Sequence, residues 1–187
     1  MSLLAQVGVG DGEDAYTVGA NACQEAITKL GVDSADLAIV FASSKFDQEK
    51  MLAGVRSVSK DALLVGSSTA GEITTEGPAN KPSVAVMLIK SDQIRFYAAA
   101  GEGIKADARA AGKAAADKVK ELAGAELKAF MMIPDVLVGN GADIVRGVLD
   151  SLQTHTLRAA LAAHGLEDRF DICATTLKCR CISKRGE

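Results

Sequence analysis

Six apolar residues in unbroken succession, Leu37-Ala38-Ile39-Val40-Phe41-Ala42, constrain this chain more than any other stretch. A strand with one wet face alternates apolar and polar side chains. An unbroken run bounded by polar residues belongs to a strand buried on both faces. Helices that would cover such a strand are legible on either side of it. Asp14 is placed to cap a helix to about Leu30, with Val18, Ala22, Ala26, Ile27 and Leu30 at helical spacing and Gly31 as its stop. Asp47 is placed to cap a second, with Met51, Leu52 and Val55 on its inner face. The segments from Leu3 to Val9 and from Ala62 to Val65 read as further strands. The second of these delivers the chain into a loop, Gly66-Ser67-Ser68-Thr69-Ala70-Gly71-Glu72.

The pattern then changes. Val84 to Ile89 and Ile94 to Ala98 are strand-like runs separated by the polar stretch Lys90 to Gln93, which predicts an antiparallel hairpin. A helix is expected from about Asp107 to Leu122, its small face made by Ala108, Ala111, Ala115 and Val119. A strand from Ala129 to Ile133 ends at Pro134-Asp135, and a last helix from Gly139 to Leu152 turns Ile144, Val145, Val148 and Leu149 inward. The expected fold class is α/β: a mixed β-sheet with flanking helices and one inserted antiparallel hairpin. No internal repeat is visible. The domain is expected over residues 3–152 and an atypical tail over 153–187. That tail allows a short helix from His155 to Ala163, shows no period from Asp171 to Glu187, and ends in a basic run.

Composition removes several classes of function. Of 187 residues, 48% are hydrophobic and 24% charged, a globular balance, and only 4% are aromatic, so the core is aliphatic. A net charge of -3 argues against nonspecific nucleic-acid binding, which needs a basic surface to displace counterions. No apolar run reaches the ~18 residues that span a bilayer. The start, Met1-Ser2-Leu3-Leu4-Ala5-Gln6, lacks the charged and apolar regions of a signal peptide, which gives a cytoplasmic expectation. Cys23 stands alone while Cys173, Cys179 and Cys181 crowd one end, a spacing that fits neither a disulfide framework nor a paired metal site.

Several stretches, taken in order, resemble the FIST N-terminal domain. They are Leu37 to Ser44, then Leu63 to Ile73 with its Gly66-Ser67-Ser68-Thr69-Ala70-Gly71-Glu72 core, then Ser91-Asp92 before Arg95-Phe96. Gly101-Glu102-Gly103, Pro134-Asp135 and Gly139-Asn140-Gly141 follow. The resemblance runs from about Val7 to Leu152. It implies a prokaryotic intracellular sensory domain that binds a small polar ligand, an amino acid or a related metabolite. It further implies a histidine kinase or another signalling protein as partner, and a C-terminal FIST domain in full-length relatives. Some members bind haem. After Leu152 the chain departs from the family pattern, as a truncated or reading-frame-shifted product would.

The residues themselves support and limit that reading. A loop at the end of a buried strand in an open α/β sheet lies where ligands bind. Gly66 and Gly71 allow close backbone approach, Ser67, Ser68 and Thr69 offer hydroxyls, and Glu72 suits an amine. Asp135 and Asn140 follow another strand and are expected on the same rim, although Asp135 could simply cap the last helix. The alternative for the loop is a tight turn whose hydroxyls satisfy their own backbone. A serine hydrolase built on Ser68 with Asp135 and His155 or His164 is a second reading. It meets two obstacles: position 70 is Ala rather than Gly, and the β-branched Ile73-Thr74-Thr75 does not start the helix a nucleophile elbow requires. Gly10-Asp11-Gly12-Glu13-Asp14-Ala15 fits a dinucleotide pattern, but its acidic residues would oppose a pyrophosphate. A haem-binding gas sensor would need an axial ligand, and both histidines lie in the tail. No catalytic residue, metal or cofactor is expected.

Overall fold

The computed structural model describes residues 3–74, 77–79, 81–124, 127–135, 137–152 and 171–177. The chain divides into two compact units, one ending at Asp92 and the other beginning at Gln93.

The first unit contains β1 (Leu3–Asp11), α1 (Ala15–Leu30), β2 (Leu37–Ser43), α2 (Gln48–Ser59), β3 (Leu63–Thr69), β4 (Ile73–Thr74), β5 (Gly77–Pro78) and β6 (Ser83–Ser91). Both helices start where the caps predict. The Asp14 carboxylate accepts the Thr17 N–H at 2.9 Å, and Asp47 accepts that of Lys50 at 3.2 Å. Gly31 closes α1 at φ 71°, a left-handed conformation that suits glycine. The sheet order is β1-β6-β2-β3, with β2 and β3 parallel and β6 antiparallel to both its neighbours. One face is buried under the helices: Ala38, Val40, Ala42, Val84, Val86 and Leu88 pack with Val18, Ala22, Cys23, Ala26, Met51 and Val55. The helices meet closely because Gly19 and Gly54 lie at their crossing. A Cβ on Gly54 would fall 2.1 Å from the Tyr16 carbonyl oxygen. The other face of β2 is only partly covered, with Phe41 38% exposed, so the run read as buried on both faces is fully buried on one.

The second unit contains β7 (Arg95–Tyr97), β8 (Ala100–Gly101), α3 (Ala108–Ala123), β9 (Ala129–Ile133), α4 (Gly141–Leu152) and β10 (Asp171–Leu177). β10 is parallel to β7, β8 and β9 and holds them together. α3 is capped by Asp107, which accepts the Ala110 N–H at 2.9 Å. α3 and α4 approach at Gly112 and Gly147, where a Cβ on Gly147 would fall 1.9 Å from the Arg109 carbonyl oxygen. Arg109 grips Asp150 with two hydrogen bonds of 2.6 and 2.9 Å, and Asp117 accepts the Ser151 hydroxyl at 2.5 Å.

The α/β class and the mixed sheet with flanking helices are as the sequence predicts. The predicted pairing of the two runs around Lys90 to Gln93 is not formed. Both edges of β6 are taken, by β1 and β2, so β7 has no edge to join and pairs with β10 instead. A different antiparallel pair, β4–β5, which the sequence does not predict, stands between β3 and β6. β3 also extends beyond the predicted Val65, because parallel β2 offers a ladder as far as Ser43↔Thr69. β10 falls within the stretch that shows no sequence period. The predicted helix from His155 to Ala163 lies outside the described residues. Among the described residues no helix is long and apolar enough to cross a membrane.

Candidate functional site

Ser67, Ser68 and Thr69 are strand residues, not loop residues. They form the C-terminal end of β3, beside Phe41, Ala42 and Ser43 of β2. Gly66 permits this pairing: a Cβ there would fall 1.9 Å from the Val40 carbonyl oxygen in the neighbouring strand. Gly71 meets no such demand, since nothing lies within 4 Å of the position its Cβ would take. The Ser67 hydroxyl donates to the Ser68 carbonyl at 2.9 Å. That of Thr69 lies 3.4 Å from the Ala42 carbonyl and within hydrogen-bond reach of one oxygen of the Glu72 carboxylate.

Glu72 is the centre of the arrangement. It is 7% exposed, and its second carboxylate oxygen accepts the hydroxyl of Ser83, the first residue of β6. Its backbone carbonyl accepts the Ala79 N–H at 3.0 Å. The side chain thus ties the exit of β3 to the entry of β6. Among the described residues no Lys, Arg or His forms an ion pair with it, so two neutral hydroxyls carry a buried carboxylate. A carboxylate has room for about four donors, which leaves acceptor capacity for another N–H or O–H.

Gln48 lies against the same strand ends and was not singled out by its sequence. It is buried in the first turn of α2, and its Nε2 donates to the carbonyls of Ser43 at 2.9 Å and Phe46 at 3.0 Å. That orientation leaves its Oε1 without a hydrogen-bond partner. Ser43 is the ladder neighbour of Thr69, so the carboxamide and the Glu72 carboxylate are each one contact from the same pair of strand ends. The only sequence signal is a glutamine directly after the Asp47 cap.

Asp135 and Asn140 lie in the second unit, and each is engaged locally. Asp135 accepts the Leu137 N–H at 3.0 Å, a turn of the Asx kind, and Asn140 accepts that of Ala142 at 2.9 Å. Asn140, not Asp135, therefore caps α4. Ser68 is followed by Thr69-Ala70-Gly71-Glu72 and then β4, with no helix, so the strand–turn–helix geometry of a nucleophile elbow is absent there. At the Gly10 to Ala15 turn the helix N-terminus is already occupied by Asp14. The hydrogen bonds from Thr17 hold that carboxyl below its usual range. Cys23 is fully buried on α1, and burial pushes its thiol up to about 11. His155, His164, Cys179 and Cys181 lie outside the described residues. A separate open groove of about 710 Å³ lies between the C-terminal ends of α1 and α2, lined in part by Thr28, Asp33, Ser57 and Lys60.

The family model of the FIST N domain matches residues 36–158. The chain belongs to the FIST N domain family. Members of this family are sensory domains of signal transduction. The FIST match begins at Asp36 and takes in β2, α2, β3 and the Glu72 arrangement. Comparison with curated proteins gives no match. Among solved structures, this FIST chain has a likeness to a mutant FtsZ of M. jannaschii, with a TM-score of 0.31 and 17% identity. The match covers 48% of this chain and 27% of that one.

Proposed function

We propose that this FIST domain is a noncatalytic sensor of a small polar metabolite bearing a hydrogen-bond donor, such as the amino group of an amino acid. The observation that carries the reading is the buried Glu72 carboxylate at the C-terminal end of the β2–β3 pair, held by hydroxyls and without a cationic partner among the described residues. A buried carboxylate lacking a counter-charge is costly, and an ammonium group placed beside it would offset that cost. The C-terminal ends of parallel strands are where α/β sheets take ligands. Ser67, Ser68 and Thr69 would contribute hydroxyls from β3, and the free Oε1 of Gln48 would accept a further donor.

Binding would act on the hydroxyl links that join β3 to β6 through Glu72, and a shift there would be passed to a histidine kinase or another signalling partner in the cytoplasm. The lack of a helix directly after Ser68 supports a sensor over a serine hydrolase. The test is calorimetric titration with single amino acids and their amides against the wild type and a triple variant, Ser67→Ala, Ser68→Ala and Thr69→Ala. The proposal expects at least a ten-fold loss of affinity in the variant. Unchanged affinity would exclude this strand end as the site.

A further inference from the structure

β1 is an edge strand. Among the described residues it pairs with β6 alone, in an unbroken antiparallel register from Leu3↔Ser91 to Asp11↔Ser83. In such a ladder the backbone groups of alternate residues point away from the partner. Two contacts fix which ones. The Val9 N–H donates to Glu25 Oε2 at 2.8 Å, and the Val7 carbonyl accepts from Lys29 Nζ at 3.3 Å. Odd-numbered residues therefore face outward, Leu3 and Ala5 included. Glu25 and Lys29 stand one turn apart on α1 and are joined by an ion pair of 2.6 Å. Gly8 brings α1 close enough for them to reach over the edge, because a Cβ there would fall 2.0 Å from the Ala22 carbonyl oxygen and 3.0 Å from the Glu25 Cβ.

The edge they cover is of the kind that recruits another strand. It is nine residues long, without proline, and carries no charge from Leu3 to Gly10. Leu3, Leu4, Val7 and Val9 are all exposed. Long apolar edges of this sort pair with further chains unless something blocks them. We propose that the Glu25–Lys29 pair is an autoinhibitory clamp on the β1 edge, which keeps a second copy of the chain from adding its own β1 to the sheet. A second copy is the natural occupant because two uncharged β1 segments can run antiparallel about a two-fold axis with no like charges opposed. That pairing draws on the outward groups of Leu3, Ala5, Val7 and Val9, and the clamp already holds the Val7 carbonyl and the Val9 N–H.

The test is sedimentation equilibrium of the whole chain in three forms: wild type, the charge-swapped Glu25→Lys/Lys29→Glu, and the swapped form carrying Ala5→Pro. The swap keeps an i,i+4 ion pair on α1 but sets an ammonium against the Val9 N–H and a carboxylate against the Val7 carbonyl, so both edge contacts are lost. Ala5→Pro removes an outward N–H and spares the β1–β6 ladder. The clamp predicts at least a ten-fold gain in self-association in the swapped form, returned towards wild type by Ala5→Pro. It also predicts slowed amide exchange at Ala5 and Val7 in the associated state. Wild-type association in a natively folded swapped variant would overturn the proposal. So would association in which the Ala5 and Val7 amides still exchange freely. Should the proline variant lose its fold, the exchange measurement on the swapped form alone decides.

Discussion

Gly66 and Gly71 open and close the same short motif, yet the fold asks different things of them. A side chain at Gly66 would strike the β2 backbone, whereas one at Gly71 would meet open space. Gly66→Ala is therefore expected to destabilise the chain by about 2 kcal/mol or more, and Gly71→Ala by less than about 0.5 kcal/mol, read from urea unfolding midpoints. The sequence marks both glycines equally, because it does not say that the strand continues through the motif. Glu72 shows the same limit. Its place at a strand end was legible, but its second hydroxyl partner, Ser83, is set by where β6 enters the sheet. Cys23 gives a prediction of a different kind. Its thiol is raised from 9.0 to about 11 by burial. Between those values the unfolded chain loses a proton that the folded chain keeps, so stability falls as pH rises through that window. Cys23→Ala should flatten that part of the profile, measured as denaturation midpoints at pH 8.5 and 10.5, roughly the two sides of the unfolded value.

The helix pairs make a sharper test of how elements pack. Propensity alone predicts that Ala in place of a glycine inside a helix stabilises it by about 1 kcal/mol. At Gly54 of α2 and Gly147 of α4 the sign should reverse, since each added Cβ would overlap a carbonyl oxygen of the facing helix, that of Tyr16 or Arg109. A net loss of about 1–3 kcal/mol is expected for each single variant in chemical denaturation, as for an overpacked contact. The helices were legible from apolar spacing and from Asp14 and Asp47, both of which cap as predicted, whereas Asp107, read as the start of its helix, is its N-cap. The strand partners were not. Lys90 to Gln93 looks like a hairpin turn locally, but pairing depends on which edges remain free, and β6 had none. β10 was missed because its mixed run, Asp-Ile-Cys-Ala-Thr-Thr-Leu, has neither the alternation of a half-exposed strand nor the unbroken apolar character of β2.

On the scale of the whole molecule, no proline- or glycine-rich linker marks the change between the two compact units at Asp92 and Gln93, and a four-residue polar stretch is all that the sequence shows there. The units share a device: in each, two helices cross on glycines, Gly19 with Gly54 and Gly112 with Gly147, so that short side chains from an alanine-rich sequence can still fill the space beneath. What singles out the first unit is polar rather than apolar. Among the described residues it holds a buried carboxylate without a cationic partner and a glutamine Oε1 without a hydrogen-bond partner at the C-terminal end of the parallel β2–β3 pair. Native mass spectrometry of the purified chain, set against the variant with Ser67, Ser68 and Thr69 all replaced by Ala, tests whether that end is a sensor's binding site. The account predicts a compact, low-charge envelope with an added small-molecule mass in the wild type, and the same envelope without that mass in the variant. An added mass retained undiminished by a folded variant, or a folded wild type that takes up no amino acid or amide offered in excess, would contradict it.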